Sequence, residues 1–326
     1  MGFGVLGSAS GQTPVRIPSR SAPTADACSD IRRKTCIINP VFATGMKCDG
    51  VTDDSAALQA VLTSAVASLG NASIIMPPGT CVIDPAAAVS INAAIWLQGA
   101  GKFGTTLKRK NSSAGSSILF LNSNGITLSD FAVDGNKGGP GIATPTDSVL
   151  GGPVSDITIQ RMRFVNSTNS DIMTNVSGAG MYSADWVIAD NEFDNQGNPV
   201  SSCVDSAGCA NVYLHQPLRV RLVGNRSDNS QNFAIFSSVP GGGQVEVGNN
   251  SVNNFGLFAV ALGGGVFGAS GAHIHHNFIS SSTTDPGNLV DVAWNLNTRK
   301  QTRDVLFSGG KFFAIAALPH SPRLRI

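Results

Sequence analysis

Few residues in this chain have the type and spacing to do chemistry. Asp171 and Asp205 are carboxyls, and His215 stands two and four positions after Tyr213 and Asn211. The runs Asp171-Ile172-Met173-Thr174-Asn175 and Asn211-Val212-Tyr213-Leu214-His215 read as strands with Ile172 and Val212 turned inward. Alternation then sends Asp171, Met173 and Asn175, and Asn211, Tyr213 and His215, to the opposite face. On neighbouring strands about 4.8 Å apart, this gathers a carboxylate, an amide, a phenol and an imidazole on one patch. Two acids about 5–10 Å apart can divide the acid and base roles of glycoside hydrolysis, their separation deciding retention or inversion. Asp171 with Asp205 is the expected pair, and His215 the group that orients or protonates. Tyr213, outward on a strand, suits a sugar-stacking platform. Asn175, Asn211, Phe236 and Asp291 complete the candidate binding set. The same residues have a plainer reading, in which Asp171 caps a turn and His215, just before Gln216-Pro217, is a satisfied surface histidine.

A repeat positions these strands. Short apolar-alternating segments begin at Ile126, Ile157, Val187, Val220, Val245, Ile274 and Val305, with gaps of 31, 30, 33, 25, 29 and 31 residues. A near-fixed period of this size marks a solenoid. The spacers are Gly, Asn, Ser and Asp, which form turns and not helices, so the solenoid is expected to be of β type. Asn191, Asn225, Asn250 and Asn277 follow the strand in four consecutive coils and would stack into an amide ladder. Phe131, Phe164, Phe193, Phe278 and Val252 are expected to stack inside. A second strand series carries the candidate site: 171–174, 211–214, 234–236, 259–261 and 291–293. Taking the central Ile or Val as inward leaves Ala234, Phe236, Ser238, Ala259, Ala261, Asp291, Ala293 and Asn295 outward. Loops 136–154 and 196–209, rich in Gly and Pro, are the expected walls of the patch.

Other groupings invite chemistry less strongly. Arg161, Arg163, Arg219, Arg221 and Arg226 lie on neighbouring strands, as a solvated face or as groups that neutralise an acidic substrate. Asp190, Glu192 and Asp194 alternate on one strand and offer oxygens to a hard cation. His273 and His275 share a face beside His276, without an identifiable third ligand for zinc. Asp134, in Val133-Asp134-Gly135-Asn136, reads as a turn residue. Phosphate-loop, nucleophile-elbow and HExxH motifs are absent from the sequence.

Composition narrows the class. Apolar residues are 42% and charged residues 13%, against about 25% charged in ordinary domains. The net charge of +1 offers no global field to nucleic acid or to an anionic membrane. No apolar run reaches the length of a membrane span, and the first 20 residues lack a signal-peptide pattern. Six cysteines point to disulfides and an oxidising compartment. Cys203 and Cys209 bracket a short loop, and Cys28–Cys36 with Cys48–Cys81 complete the simplest of fifteen connectivities. Buried free thiols are the alternative.

The segment Lys47-Cys48-Asp49-Gly50-Val51-Thr52-Asp53-Asp54-Ser55-Ala56-Ala57-Leu58-Gln59 opens the ordered part of the chain. Thr52 or Asp53 is the expected N-cap of an amphipathic helix over 53–69, whose stripe is Ala57, Leu58, Val61, Leu62, Ala65 and Val66. This opening resembles the GDGxTDDTxAIQ motif of pectate-lyase-like, glycoside-hydrolase-28-related β-helix proteins. Two further segments, Ala72 to Ile83 and Ile95 to Leu107, resemble that family's next two motifs in the same order. Cys48 stands where the family has glycine and Cys81 where it has an aromatic residue. The paired Asp-Asp, His-Gly and Arg-Ile-Lys motifs of polygalacturonases are absent.

The resemblance implies an all-β fold: a right-handed parallel β-helix over 37–318, after an extension at 1–36 and before a basic tail at 319–326. Residues 311–318 leave the repeat and are expected to cap its open end. It further implies a secreted, extracellular or periplasmic enzyme that cleaves a polysaccharide in a groove on the β-helix, with hydrolysis favoured over β-elimination. A non-catalytic carbohydrate-binding or tailspike-like protein is the competing class. No cofactor is called for, and calcium enters only with a lyase. The expected partner is a polysaccharide, with no nucleic acid and no membrane. A monomer is expected, or a trimer if the chain is spike-like.

Overall fold

The computed structural model describes residues 36–66, 72–87, 89–110, 117–136, 147–167, 169–174, 181–194, 210–230, 232–237, 243–253, 255, 258–263, 272–280, 288–292, 305–308 and 311–312. They form a right-handed parallel β-helix. Each coil contributes a strand to sheet S1, then to S2, then usually to S3. S1 runs from Cys36–Ile38 to Val305–Ser308 in ten strands. S2 runs from Asp49–Asp53 to Lys311–Phe312, also in ten, and S3 from Ser90–Ile91 to Asn288–Val292 in eight. The seven repeats read from the sequence mark seven successive S1 strands, and the second strand series is S3.

The turn between S1 and S2 explains the asparagines. Each ladder Asn is preceded by a residue in the left-handed region: Asp190 (φ 57°), Gly224 (φ 68°), Asn249 (φ 56°) and His276 (φ 51°). That residue swings the chain through the corner, where Asn and Asp are tolerated better than branched side chains. The following Asn points inside. Asn191 Nδ2 donates to Asn225 Oδ1 at 3.0 Å, Asn225 Nδ2 to Asn250 Oδ1 at 3.0 Å, and Asn250 Nδ2 to Asn277 Oδ1 at 2.9 Å. Each amide also donates to an S1 carbonyl of the preceding coil: Ile159, Ile188, Leu222 and Val247 in turn.

Two residues after the ladder Asn, the S2 side chain enters the core. The Phe164 and Phe193 rings stack there at 5.2 Å, buried Ser227 takes the position in the next coil, and Val252 and Ile279 take it in the two after that. Phe278 is therefore corrected: it directly follows Asn277, lies one residue out of phase and is 43% exposed. Lys311–Phe312 is a second correction. It pairs in parallel with Phe278–Ser280 and so continues the repeat instead of leaving it.

The start of the solenoid is covered by the helix Ser55–Val66, which buries Leu58, Val61, Leu62 and Ala65. It begins two residues later than expected, because Asp49–Asp53 is taken by an S2 strand paired with Gly79–Ile83. The acids of this segment bind backbone. Asp54 accepts from the Lys47 and Cys48 amides at 2.8 and 3.0 Å. Asp49 accepts from the Thr52 and Val51 amides, which hold its pKa at about 2.

Cys48 and Cys81 form a disulfide across 33 residues, tying this turn to the next coil. Of the other two proposed pairs, Cys28, Cys203 and Cys209 lie outside the described residues, as does the side chain of Cys36. Closing a loop of this length in the unfolded chain is worth about 3–4 kcal/mol. The C48A/C81A double variant is accordingly expected to unfold at clearly lower denaturant concentration, with an unchanged far-UV spectrum, in an equilibrium urea titration.

Candidate functional site

The outer face of S3 is read from its strand register. Ser90, Phe120, Leu150, Met173, Tyr213, Ile235, Ala261 and Asp291 are direct neighbours from coil to coil, forming one row along the sheet. The row beside it on the inner face holds Leu119, Val149, Ile172, Val212, Ala234 and Val260, all in the core. Ala210, Tyr213 and Ile235, with Met173 against them, form an apolar cluster separate from that core.

Three expected placements are corrected: Ala234, Phe236 and Ala259, the last fully buried in the core. Ala234 and Phe236 point into the core and Ile235 points out. Hydrogen bonding sets Ala234, not Ile235, opposite Val212, and a one-residue shift exchanges the faces of a strand. Phe236 is therefore removed from the ligand-facing set. Part of the expected wall also changes role, because Asp147–Gly151 is an S3 strand between Ser117–Leu121 and Ile172–Thr174.

Asp171 and Asn211 are in register but do not face outward. Asp171 is 0% exposed. The Ser167 hydroxyl donates to it, as does Asn211 Nδ2 at 2.8 Å. The Ser227 hydroxyl donates to Asn211 Oδ1 at 2.6 Å, and Ser148 Oγ lies 3.1 Å from Ser167 Oγ. The chain bends here from S2 into S3, so a position that strand alternation would turn outward lies inside the corner. Asp171 thus joins adjacent coils through buried hydrogen bonds. Removing an acceptor from such a network costs about 1–3 kcal/mol per orphaned donor. Asp171→Ala is expected to lower the melting temperature, whereas Asp171→Asn, which keeps an acceptor oxygen, is expected to retain most of the stability and all of any turnover.

Tyr213 and His215 remain on the outer side and meet Ser237 of the next coil. Ser237 Oγ lies 3.2 Å from His215 Nδ1 and donates to the Tyr213 hydroxyl at 3.3 Å, and the Tyr213 and His215 ring centroids are 4.4 Å apart. The backbone is pinned too: the His215 amide donates to Thr174 Oγ at 2.7 Å and its carbonyl accepts from Ser183 Oγ at 3.0 Å. Burial pushes the His215 pKa below its ordinary value, so the ring is neutral at neutral pH. In the tautomer that donates Nδ1–H to Ser237, Nε2 keeps a lone pair, which is the requirement for a general base. Tyr213 is only 7% exposed, so its ring offers little area for stacking. Ser237 was missed from sequence, because the wrong register placed its neighbours on the wrong faces. Asp205 and Asn175 lie outside the described residues, as does the side chain of Asp291.

The charged groupings are consumed by pairing on S1 and S2. Arg161 binds Asp130 through two bonds of 2.8 Å, and Arg219 binds Asp185 through two of 2.6 Å. Arg163, Arg221 and Arg226 meet Asp194, Glu246 and Asp228. Glu192 meets Lys102 at 3.1 Å. His275 Nε2 is 3.2 Å from Glu246 Oε1, and its Nδ1 is 2.9 Å from His276 Nδ1, an S1 pairing remote in register from S3. Asp134 accepts from the Asn136 amide and the Asn166 side chain, as a turn residue does. Among the described residues, the one group of three potential metal-ligating side chains is Cys48, Asp54 and Cys81, and two of these are joined in the disulfide.

Residues 39–131 match the family profile described as rhamnogalacturonase A/epimerase, pectate lyase-like. Beyond that stretch, the comparisons show the fold, a right-handed parallel β-helix. Two solved structures share it at low identity. The exopolygalacturonase of Thermotoga maritima aligns with a TM-score of 0.55 and 11% identity, over 83% of this chain and 78% of its own. An iota-carrageenase bound to iota-carrageenan fragments aligns with a TM-score of 0.51 and 13% identity, over 72% of this chain and 58% of its own. No curated protein sequence matches the chain. No helix among the described residues is long and apolar enough to cross a membrane.

Proposed function

We propose that this pectate-lyase-like β-helix is a secreted glycoside hydrolase that cleaves a polysaccharide laid along the outer face of S3. The observation that carries this reading is the hydrogen-bonded group of His215, Ser237 and Tyr213 on that face. Neutral His215 serves as the base that activates water, a role the enclosed Asp171 has no open side to perform. Asp205, five residues before the strand that bears Tyr213 and His215, is the acid for the leaving oxygen. Known enzymes on this fold include the exopolygalacturonase and the carrageenase above, which supports glycan cleavage as the class of reaction. β-Elimination with an arginine neutralising the substrate carboxylate is disfavoured, because the five arginines that could do so are bound to acids.

The outward residues Phe120, Leu150, Met173 and Ile235 carry no titratable group, and this favours a second reading as a carbohydrate-binding protein without catalysis. Incubation with a panel of polysaccharides separates the readings. Hydrolysis releases reducing ends without the absorbance of unsaturated uronates, a lyase produces both, and retained binding with neither product leaves the non-catalytic class.

A further inference from the structure

We infer that the polysaccharide taken by the S3 face is uncharged; this rests on S3 being the glycan-binding face. The sequence contains no Lys or Arg from Phe164 to Leu218, nor from Ser227 to Thr298. Those two stretches contain five of the eight S3 strands and the segments that connect them, apart from the turn through Arg219, Arg221 and Arg226 on S1 and S2. The three earlier S3 strands, Ser90–Ile91, Ser117–Leu121 and Asp147–Gly151, carry no cationic residue either. The formally charged residues of the eight strands are Asp147 and Asp291, both acidic. His215 is the one further titratable base on them, and burial keeps it neutral.

The chain is poor in charge as a whole, and the cations it has are also partitioned. The chain has 22 Lys and Arg, and the arginines of the central coils project from S1 and S2, each against a carboxylate. A polyuronate or a sulfated galactan brings an anion with each charged sugar. Seating such anions on strands that carry no cationic side chain costs several kcal/mol apiece in lost hydration. A neutral glycan has no such cost. Its hydroxyls meet the Tyr213 and Ser237 hydroxyls and the linked amides of Asn92 and Asn122, and its C–H faces meet the half-buried Phe120 and Met173. The substrate class is thus a neutral polymer of hexose, pentose or deoxyhexose, and not the acidic backbone that the family description brings to mind.

The test is affinity electrophoresis of the full chain in gels containing galactan, arabinan, xylan or mannan, and in parallel gels containing polygalacturonate or alginate. Both sets are run at low and high salt, with and without calcium. Retardation by at least one neutral polymer, insensitive to salt, with no retardation by either polyuronate, is expected. Retardation by a polyuronate that weakens with salt, or that appears only with calcium, would overturn the inference while leaving the glycan face intact. No retardation by any polymer would instead remove the glycan face itself.

Discussion

His215→Ala is expected to reduce release of reducing ends about 10²–10⁴-fold, the usual contribution of a positioned acid–base group. The expectation follows from three features that occur together at this residue. Its backbone is fixed on both sides by Thr174 and Ser183. Its Nδ1 is engaged by Ser237, which orients the ring. Burial also holds its pKa down, so the basic, neutral form persists somewhat below pH 6.5. The sign of the pH effect follows: turnover by the wild-type chain should stay level through neutrality and fall only on the acid side of the ordinary histidine value. In His215→Ala that limb should be absent from whatever activity is left. The variant loses one side-chain hydrogen bond, worth about 1 kcal/mol, so its melting curve should stay near that of the parent. Full turnover in a folded His215→Ala protein would move the site away from this cluster.

The architecture was legible in the sequence because a solenoid repeats its physics. Each coil needs a turn of fixed chemistry, so Asn191, Asn225, Asn250 and Asn277 recur, and the strands they follow can be counted. The site was less legible, for reasons that individual residues show. Asp171 follows strand alternation on paper, yet a bend folds it into the corner beside Ser167. Phe236 and Ile235 are both apolar, so their composition cannot say which of them faces the core; only the pairing of Ala234 with Val212 does. Ser237 gains its place from that same register. Periodicity thus reports which residues share a sheet, whereas hydrogen-bond phase and corner geometry decide what an outer face presents, and neither is carried by residue type.

The ladder itself supplies the largest expected effect on stability. Asn225→Leu keeps the approximate volume and removes every side-chain hydrogen bond at that position. Asn225 Oδ1 is the acceptor for both the backbone amide and the side-chain amide of Asn191, each at 3.0 Å. Its Nδ2 serves the Ile188 carbonyl at 2.9 Å and Asn250 Oδ1 at 3.0 Å. Asn191 is nearly fully buried, so its backbone amide finds no water when the acceptor is lost. One orphaned buried amide and one orphaned carbonyl, at about 1–3 kcal/mol each, predict a loss of about 2–6 kcal/mol, a large part of the 5–15 kcal/mol that holds a typical domain together. Asn225→Asp should lie between Leu and the parent, since it restores the acceptor for Asn191 but not the donor to Ile188. Asn277→Leu offers the internal comparison. Asn277 accepts from Asn250 in the same way but donates only to the Val247 carbonyl, so its loss interrupts the end of the four-residue ladder and not its middle. Urea titrations of the three variants should therefore rank Asn225→Leu as the least stable. Equal midpoints for Asn225→Leu and the parent would mean that the side-chain ladder adds nothing to what the backbone sheets already hold.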